Sequence, residues 1–277
     1  MQTLHPQGVA VPAIGFGTAR FDSNDRCQRA VEIALDLGYR HVDTAQMYGT
    51  EPAVGAAIAD SDVQREDVFL TTKLDSGNRS RDRVLSSTRE SLDALGTAYV
   101  DLLLIHAPNR SVSHAETLRA MNELQRDGLV RHVGVSNFSV DQLREAIELS
   151  STPILTNQVE YNPHHGQAAL LAYCLDTDVL LTAYSPLDVG AVSNNDTLRA
   201  IGNRYGKTPA QVAIRWLVQQ PLVSAIPKAG RRSHIAENLD VFDYELSPDE
   251  MRRIFAGAGG LPEDLAARIG DEPGRSG

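Results

Sequence analysis

Four side chains that can move or hold a proton stand at or near the ends of apolar segments: Asp43, Tyr48, Lys73 and His106. A buried carboxylate is costly unless a partner compensates its charge, so Asp43 requires a cation beside it. A tyrosine has an ordinary pKa of about 10 and donates a proton poorly at neutral pH. A neighbouring ammonium group favours the phenolate, so Lys73 is expected to lower the pKa of Tyr48. The set predicts a general acid, Tyr48, that Lys73 and Asp43 tune toward working pH.

The sequence shows no protein nucleophile in a recognisable motif beside this acid. The stretch GVSNF (134–138) misses the second glycine of G-x-S-x-G, and GFGTAR (15–20) misses the last glycine of a dinucleotide fingerprint. A proton donor without a protein nucleophile indicates that an external group attacks a carbonyl. A hydride from a nicotinamide fits that requirement.

Two other interpretations stay open from the residues alone. A desolvated lysine at a strand end can form a Schiff base, so Lys73 could belong to an aldolase. The adjacent Asp43 argues against this, because an acid keeps the ammonium protonated. The chain could also be a non-catalytic protein that senses the cofactor, with Asp43 and Lys73 as a structural ion pair.

Distant strand ends must meet for these side chains to act together. The eight short apolar runs are IGFGT (14–18), RHVDT (40–44), VFLTTKL (68–74), VDLLLIH (100–106), HVGVSNF (132–138), ILTNQVE (154–160), VLLTAYS (179–185) and VSAIPK (223–228). Stretches of helical period between them cover 27–38, 51–61, 81–96, 115–128, 139–149, 167–177 and 209–220.

This alternation of strands and helices predicts an α/β protein, a parallel (β/α)8 TIM barrel, whose chemistry lies at the carboxyl ends of the strands. Adjacent parallel strands put their last residues side by side, so Asp43 and Lys73 are expected to pair. The first residues, LHPQGVAVP, predict a β-hairpin at the barrel bottom. No linker interrupts the chain, so residues 1–277 are expected to form a single domain, with a loosely packed tail over 259–277.

Composition narrows the classes of partner and compartment. A net charge of −10 disfavours nucleic acid and an anionic membrane as partners. No apolar run approaches the roughly 18 residues of a membrane span, and the N-terminus lacks the features of a signal peptide. We therefore expect a cytoplasmic protein. Scarce lysine beside an excess of acid fits a salt-adapted organism, although a GC-rich genome gives the same bias toward arginine.

Two pairs of residues that often bind metals are expected not to do so here. Cys27 and Cys174 lie far apart without a partner pattern, so they are expected to be buried packing residues. His164 and His165 are adjacent and lack the spacing of a metal site. No metal is therefore expected.

Seven motifs, in order along nearly the whole chain, resemble those of the aldo-keto reductase family. They are DTAxxYGxE at 43–51, TTKL at 71–74, DLLLIH at 101–106, GVSNF at 134–138, NQVEYNP at 157–163, AYSPL at 183–187 and IPK…ENLDVFDYELS at 226–247. The compact loops are similar to the bacterial branch of 2,5-diketo-D-gluconate reductases and methylglyoxal reductases. The resemblance implies NAD(P)H-dependent reduction of small carbonyls, keto-sugars, α-dicarbonyls or β-keto esters by a monomer or weak oligomer.

The resemblance also implies a role for each matching residue. Tyr48 would give the proton to the carbonyl oxygen, Lys73 and Asp43 would tune it, and His106 would orient the carbonyl. The cofactor residues would be Ser136, Asn137 and Gln158 for the nicotinamide carboxamide, Tyr184 for the ring, Ser185 and Leu187 for the pyrophosphate, Lys228, Arg231, His234, Glu237 and Asn238 for the adenosine end, Gly17 and Thr18 near the ribose, and Asp43 at the edge shared with the catalytic residues.

Two departures from the family pattern concern the substrate pocket. Ala107 stands where the family usually has tryptophan, and Ala19 where an aromatic residue is common. Both losses remove large apolar walls, so a wider and less selective pocket is expected.

Two further departures concern the cofactor. His234 stands where members that prefer NADPH have arginine, and a neutral imidazole binds phosphate less well than a fixed guanidinium. Arg231 and Arg232 lie close enough in sequence to compensate. NADPH is therefore the expected cofactor, with NADH as the second candidate. Asp188 stands where glycine is common, and the sequence gives no physical account of it.

Overall fold

The computed structural model describes residues 2–109 and 112–270, and these contain ten β-strands. In chain order they are β1 (Thr3–Leu4), β2 (Val11–Pro12), β3 (Phe16–Gly17), β4 (His41–Asp43), β5 (Phe69–Leu74), β6 (Val100–Ile105), β7 (Val130–Ser136), β8 (Ile154–Glu160), β9 (Leu180–Tyr184) and β10 (Val223–Ala225). Each of the eight apolar runs of the sequence overlaps one of the strands β3 to β10.

Strands β3 to β10 form one parallel sheet in chain order, and this sheet closes on itself. Neighbouring strands pair in register, with Asp43 of β4 opposite Thr71 of β5. Ile14, just before β3, bridges Ala225 of β10, and the Gly15 amide donates a 2.8 Å hydrogen bond to the Ala225 carbonyl. The predicted (β/α)8 barrel is therefore confirmed.

Each barrel strand is followed by at least one helix. The helices are α1 (Asn24–Asp36), α2 (Glu51–Ala59), α3 (Arg81–Leu95), α4 (His114–Arg126), α5 (Val140–Leu149), α6 (Ala168–Thr177), α7 (Asp196–Tyr205), α8 (Pro209–Val218), α9 (Arg232–Leu239), α10 (Pro248–Gly257) and α11 (Glu263–Gly270). The periodic stretches of the sequence correspond to α1 to α6 and α8. Four helices, α7 and α9 to α11, were not among them.

Local signals explain where several helices begin and end. At the start of α5 the Ser139 side chain accepts a hydrogen bond from the Gln142 amide, and the Gln142 side chain accepts one from the Ser139 amide. This reciprocal pair caps two free amides of the first turn. Helix α3 ends at Gly96, which has a φ of 61° that glycine adopts without steric cost.

The N-terminal hairpin lies at the amino ends of the barrel strands. Strands β1 and β2 pair antiparallel, and Leu4 is buried between the hairpin and the barrel. The Gln7 side chain donates a 3.0 Å hydrogen bond to the carbonyl of Ile154, the first residue of β8. The hairpin therefore covers the barrel bottom, as the sequence predicted, and leaves the carboxyl ends of the strands open.

Helix α11 follows the glycines at 259 and 260, and its Leu265 is buried. The rest of the segment expected to be a loose tail, residues 271–277, lies outside the described residues. Cys27 and Cys174 are both buried and unpaired. None of the helices described in 2–109 and 112–270 is long and apolar enough to cross a bilayer.

Candidate active site

Asp43 and Lys73 form a buried ion pair at the carboxyl ends of the adjacent strands β4 and β5. The Lys73 Nζ contacts Asp43 Oδ1 and donates a 2.9 Å hydrogen bond to the carbonyl of Thr44. The two side chains are 0% and 2% exposed, respectively. The adjacency of the two strand ends predicted this pairing, and it compensates the charge of the buried carboxylate.

The second oxygen of Asp43 is also occupied. Gln158, at the carboxyl half of β8 across the barrel, donates a 2.7 Å hydrogen bond from Nε2 to Asp43 Oδ2. The family resemblance assigned Gln158 to the nicotinamide carboxamide and gave no sign of this contact. Asp43 is therefore fixed from two sides, by Lys73 and by Gln158.

Tyr48 lies beside this pair on a short 3₁₀ turn, Gln46–Tyr48. Its hydroxyl is 3.5 Å from the Lys73 Nζ, which also lies 5.0 Å from the centre of the phenol ring. Burial raises the pKa of Tyr48 above its ordinary value, while the Lys73 charge acts in the opposite direction. The expected net lowering of this pKa was wrong, because loss of solvent around the phenol outweighs the ammonium.

His106 follows the last residue of β6 and packs edge-on against Tyr48. The two ring centres are 5.6 Å apart at an interplanar angle of 81°. Burial lowers the pKa of His106 to about 4, and the Lys73 charge adds to this effect. The imidazole is therefore neutral at ordinary working pH. Its Nδ1 is buried, without a hydrogen-bond partner among the described residues.

Sequence reasoning missed two residues of the loop network behind Tyr48 and His106. Arg79 is 2% exposed and donates hydrogen bonds of 2.7 Å to the Ala107 carbonyl and 3.1 Å to the Asp75 carbonyl. Gln46 links the turn that carries Tyr48 to the loop after β5 and to α3. Neither residue belongs to a motif with a recognised chemistry, so no sequence signal marked them.

Three residues assigned to the nicotinamide lie together at the ends of β7 and β9. The Tyr184 hydroxyl donates a 2.9 Å hydrogen bond to Asn137 Oδ1, and Asn137 Nδ2 donates one of 2.9 Å to the His106 carbonyl. The buried Ser136 hydroxyl donates a 2.7 Å hydrogen bond to the Gln158 carbonyl. Asn137 is exposed and adopts a φ of 61°, in the left-handed region that asparagine tolerates better than most residues. These residues therefore lie beside His106, at the carboxyl ends of the strands.

Gly17 is the last residue of strand β3, and Thr18 follows it. A Cβ on Gly17 would come within 2.8 Å of the Ile226 carbonyl, so only glycine fits this close approach. The Thr18 hydroxyl is buried and donates a 2.9 Å hydrogen bond to the Asp43 carbonyl. Thr18 thus contacts the catalytic strand through its side chain.

The basic residues at the adenosine end differ in whether a carboxylate pairs with them. Lys228 is exposed over the Phe21 ring, with 4.4 Å between its Nζ and the ring centre. Arg231 donates a 3.0 Å hydrogen bond to the Nε2 of His234. Neither cation has a carboxylate partner within the described part of the chain. Two uncompensated cations in a strongly acidic protein fit the phosphates of a dinucleotide.

Arg232 differs from Arg231 although the two are adjacent. Its Nη2 forms a 2.7 Å ion pair with Asp36 Oδ2 at the end of α1. Further along α9, Glu237 is exposed and Asn238 is buried. Of the two arginines that could compensate for His234, Arg231 alone is free of a carboxylate in the described chain.

The loop after β9 contains a hydrogen bond that gives Asp188 a structural role. Its Oδ2 accepts a 2.9 Å hydrogen bond from the Nδ1 of His164, and the Nε2 of His164 accepts one of 2.9 Å from Asn195. Ser185, Asp188 and Val189 have φ values of 47°, 44° and 49°. Such a left-handed loop can turn successive amides toward an anion. Through its hydrogen bond to Asp188, His164 therefore anchors the loop that includes Ser185 and Leu187.

The described residues contain no group of three or more His, Cys, Asp and Glu side chains placed to hold a metal ion. His164 is engaged with Asp188 and Asn195 instead. The polar residues at the barrel mouth are suited to proton transfer and to binding a phosphate-bearing cofactor.

Comparison with known proteins decides the family. The sequence model of the Aldo/keto reductase family matches residues 13–256. This chain belongs to the aldo/keto reductase family. It is therefore an oxidoreductase that reduces carbonyl groups with a nicotinamide cofactor, which decides against the aldolase interpretation. The relatives give no support to a non-catalytic sensor.

Individual relatives of this aldo/keto reductase match over almost their whole length. A glyoxal reductase of Bacillus subtilis is 37% identical over 270 residues, covering 98% of this chain and 95% of the relative. A crystal structure of a candidate 2,5-diketo-D-gluconic acid reductase B has a TM-score of 0.91 and 43% identity, covering 95% and 97% of the two chains. The aldo-keto reductase AKR2E4 of Bombyx mori, solved in complex with NADP, has a TM-score of 0.86 and 34% identity, covering 91% of each chain.

Proposed function

We propose that this aldo/keto reductase reduces small dicarbonyl compounds with NADPH, and that Tyr48 is its proton donor. The observation that carries the proposal is the continuous contact from Tyr48 through Lys73 to Asp43, with a neutral His106 against the phenol ring. An acid, a cation that stabilises its conjugate base and a neutral hydrogen-bond donor meet at one open end of the barrel.

The protein residues supply the proton and its control. When bound, the reduced nicotinamide supplies the hydride that goes to the carbonyl carbon. Tyr48 gives its phenolic proton to the carbonyl oxygen, and the phenolate that remains is stabilised by the Lys73 ammonium 3.5 Å away. Asp43 and Gln158 hold that ammonium in place. Solvent then returns a proton to Tyr48.

His106 orients the carbonyl in this proposal. Because its pKa is lowered to about 4, the ring carries one proton at neutral pH. The buried Nδ1 has no partner in the described residues. In this proposal the single proton is on Nε2, from which it is donated to the carbonyl oxygen of the substrate.

Two departures from the family pattern and the relatives together support a substrate class. Ala19 and Ala107 are small residues where the family usually has large aromatic ones, which favours a wider pocket. The relatives named above are a glyoxal reductase and a candidate 2,5-diketo-D-gluconic acid reductase. Glyoxal and 2,5-diketo-D-gluconate both carry two carbonyl groups, and this shared chemistry supports dicarbonyl substrates for the present chain.

The preference for NADPH rests on the free cations. Arg231 and Lys228 can bind the 2′-phosphate, whereas the ion pair with Asp36 occupies Arg232. Arg231→Ala is expected to raise the dissociation constant for NADPH by about 10- to 100-fold, since a hydrogen bond to a charged group contributes about 1.5–3 kcal/mol. The constant for NADH should stay the same. Arg232→Ala is the matched control and should change neither constant.

The function is tested by the loss of nicotinamide absorbance with NADPH and NADH in parallel. Glyoxal, methylglyoxal, 2,5-diketo-D-gluconate, a β-keto ester and an aromatic aldehyde are the substrates to compare. The proposal expects the highest kcat/KM for a dicarbonyl with NADPH. Tight NADPH binding without turnover of any of these carbonyls would contradict it.

A further inference from the structure

The catalytic tyrosine sits on a turn that has little to hold it. The turn Gln46–Tyr48 contains no buried residue, and its middle residue, Met47, is 61% exposed. It ends at Gly49 in the left-handed conformation, with a long hydrogen bond of 3.4 Å from the Gly49 amide to the Gln46 carbonyl. No side chain of the turn is fully buried, so packing, which includes the edge-on contact with His106, fixes the position of Tyr48 only in part.

The side chain of Gln46 supplies the missing anchor. Its Nε2 donates to the Ser87 carbonyl at 3.2 Å and to the hydroxyls of Ser87 and Ser91 at 3.1 Å each. Its Oε1 accepts hydrogen bonds of 2.9 Å from the Asp75 amide and 3.0 Å from the Asn78 side chain. The amide nitrogen thus binds α3, and the amide oxygen binds the loop after β5.

This anchor matters because the distance between the Tyr48 hydroxyl and the Lys73 Nζ is near the upper limit for a hydrogen bond. The Tyr48 hydroxyl is 3.5 Å from the Lys73 Nζ, and a hydrogen bond is lost at only slightly greater separation. Lys73 itself is held by Asp43 and the Thr44 carbonyl and does not follow the turn. A shift of the turn by about 1 Å would separate the acid from the ammonium, and such misplacements cost about 100-fold in rate.

The loop after β5 also positions the residue that follows His106. Arg79 joins the Asp75 carbonyl to the carbonyl of Ala107, the residue after His106. Gln46 binds the amide of the same Asp75. The loop after β5 therefore sets the position of Tyr48 relative to both Lys73 and His106.

We propose that Gln46 is a positioning residue for the proton donor, and that its five hydrogen bonds set the distance between Tyr48 and Lys73. The inference rests on the proposed role of Tyr48 and adds a residue without contact to substrate or cofactor. Removing the amide should slow proton-coupled hydride transfer and leave cofactor binding unchanged.

The test is the single-turnover rate of hydride transfer in Gln46→Met, which keeps the side-chain length and removes every side-chain hydrogen bond. The rate, expressed per NADPH-binding site counted by fluorescence titration, is expected to fall about 10- to 100-fold. The dissociation constant for NADPH should change less than about twofold, because the hydrogen bonds of the Gln46 side chain go to α3 and to the loop after β5. The matched control is Gln28→Met on α1, whose amide contacts Glu32 and Asp60, and it should retain the full rate.

A merely structural role would lower the melting temperature and the fraction of binding sites but not the rate per site. It would also leave the pH dependence of that rate unchanged, whereas separation from Lys73 moves the alkaline loss of activity to higher pH. A rate per site within about twofold of the wild type in Gln46→Met would overturn the inference.

Gln46→Glu covers the case in which Gln46→Met does not fold. Its carboxylate still accepts from the Asp75 amide and the Asn78 side chain but donates nothing to α3. A slowed rate per site in this variant supports the inference, and an unchanged rate overturns it. Tyr48→Phe in the same assay separates the two proposals: if it is inactive while the Gln46 variants are fully active, only the inference about Gln46 fails.

Discussion

The side-chain amide of Gln158 donates a 2.7 Å hydrogen bond to Oδ2 of Asp43, joining β8 to β4 across the carboxyl end of the barrel. Lys73 occupies the other oxygen of the same carboxylate. The Lys73 ammonium is therefore held by a carboxylate that cannot rotate without losing a partner. If Tyr48 is the proton donor, as proposed, Gln158 belongs to the residues that support it.

Gln158→Met is expected to destabilise the cofactor-free protein by about 1–3 kcal/mol, because Asp43 Oδ2 would be left buried without a donor. Urea denaturation of the cofactor-free protein measures this directly. A residue that only binds the nicotinamide carboxamide would weaken cofactor binding without changing the denaturation midpoint. An unchanged midpoint would therefore remove Gln158 from the catalytic support.

Lys73→Met is expected to lower the free energy of unfolding by about 3–5 kcal/mol, since it leaves the charge of Asp43 buried without its partner. The double variant Lys73→Met with Asp43→Leu should recover part of this loss, because it buries no charge. Chemical denaturation of the four proteins forms a double-mutant cycle. Additive losses would show that the pair contributes no coupling to stability.

The pH dependence of stability should report His41, which lies 2% exposed two residues before Asp43. Burial lowers the pKa of His41 from 6.5 to about 4. The neutral form is thus favoured by folding, and its contribution is complete above pH 6.5 and is lost as pH falls from 6.5 through 4. The loss should approach about 3 kcal/mol.

Denaturation midpoints at pH values on both sides of this window test the prediction. His41→Gln should flatten the dependence, because glutamine does not titrate. The side chain of His41 contacts the Thr71 hydroxyl at 3.2 Å, so the variant should also be less stable at neutral pH. An unchanged slope in the variant would assign the acid sensitivity to other groups.

The pH dependence of kcat should show a broad plateau. Burial raises the pKa of Tyr48 above its ordinary value of about 10, so the phenol keeps its proton throughout the neutral range. Loss of activity is expected only at strongly alkaline pH, where the acid form disappears. A kcat already half lost near about pH 8 would contradict Tyr48 as a buried acid.

The contact between His164 and Asp188 should slow cofactor release. An anchored loop loses less conformational entropy when it binds a ligand, so the contact is expected to favour the bound state. His164→Ala should increase the dissociation rate of NADPH by about 3- to 10-fold, as expected for one hydrogen-bonded pair at a partly exposed site. His165→Ala is the neighbouring control. Stopped-flow fluorescence would count against the anchor if both variants released NADPH at the wild-type rate.

The sequence was sufficient for the barrel and for the ion pair at the carboxyl ends of β4 and β5. Apolar runs with helical stretches between them define a parallel barrel, and its adjacent strands bring Lys73, two residues beyond the Asp43 partner Thr71, within reach of the Asp43 carboxylate. These features depend on periodicity and on neighbours in the sheet, and both can be inferred from the order of residues. The N-terminal hairpin and the capping box of α5 follow from equally local signals.

Contacts across the barrel could not be inferred in the same way. Gln158 and Asp43 are 115 positions apart on strands that are not neighbours, and His164 and Asp188 meet through two loops. The direction of the Tyr48 pKa depends on how completely the phenol is buried, which a motif does not reveal. Helix α7 was missed because the alternation of strands and helices predicts one helix between β9 and β10, and the structure has two, α7 and α8.

The most direct test of the account is the single-turnover rate of hydride transfer from NADPH to methylglyoxal in Tyr48→Phe, with NADPH binding measured on the same sample. The substitution keeps the ring that contacts His106 and removes only the hydroxyl. The account predicts a rate lowered about 100- to 10,000-fold, the usual contribution of a general acid, with an unchanged NADPH dissociation constant. A rate within about tenfold of the wild type would show that another group donates the proton.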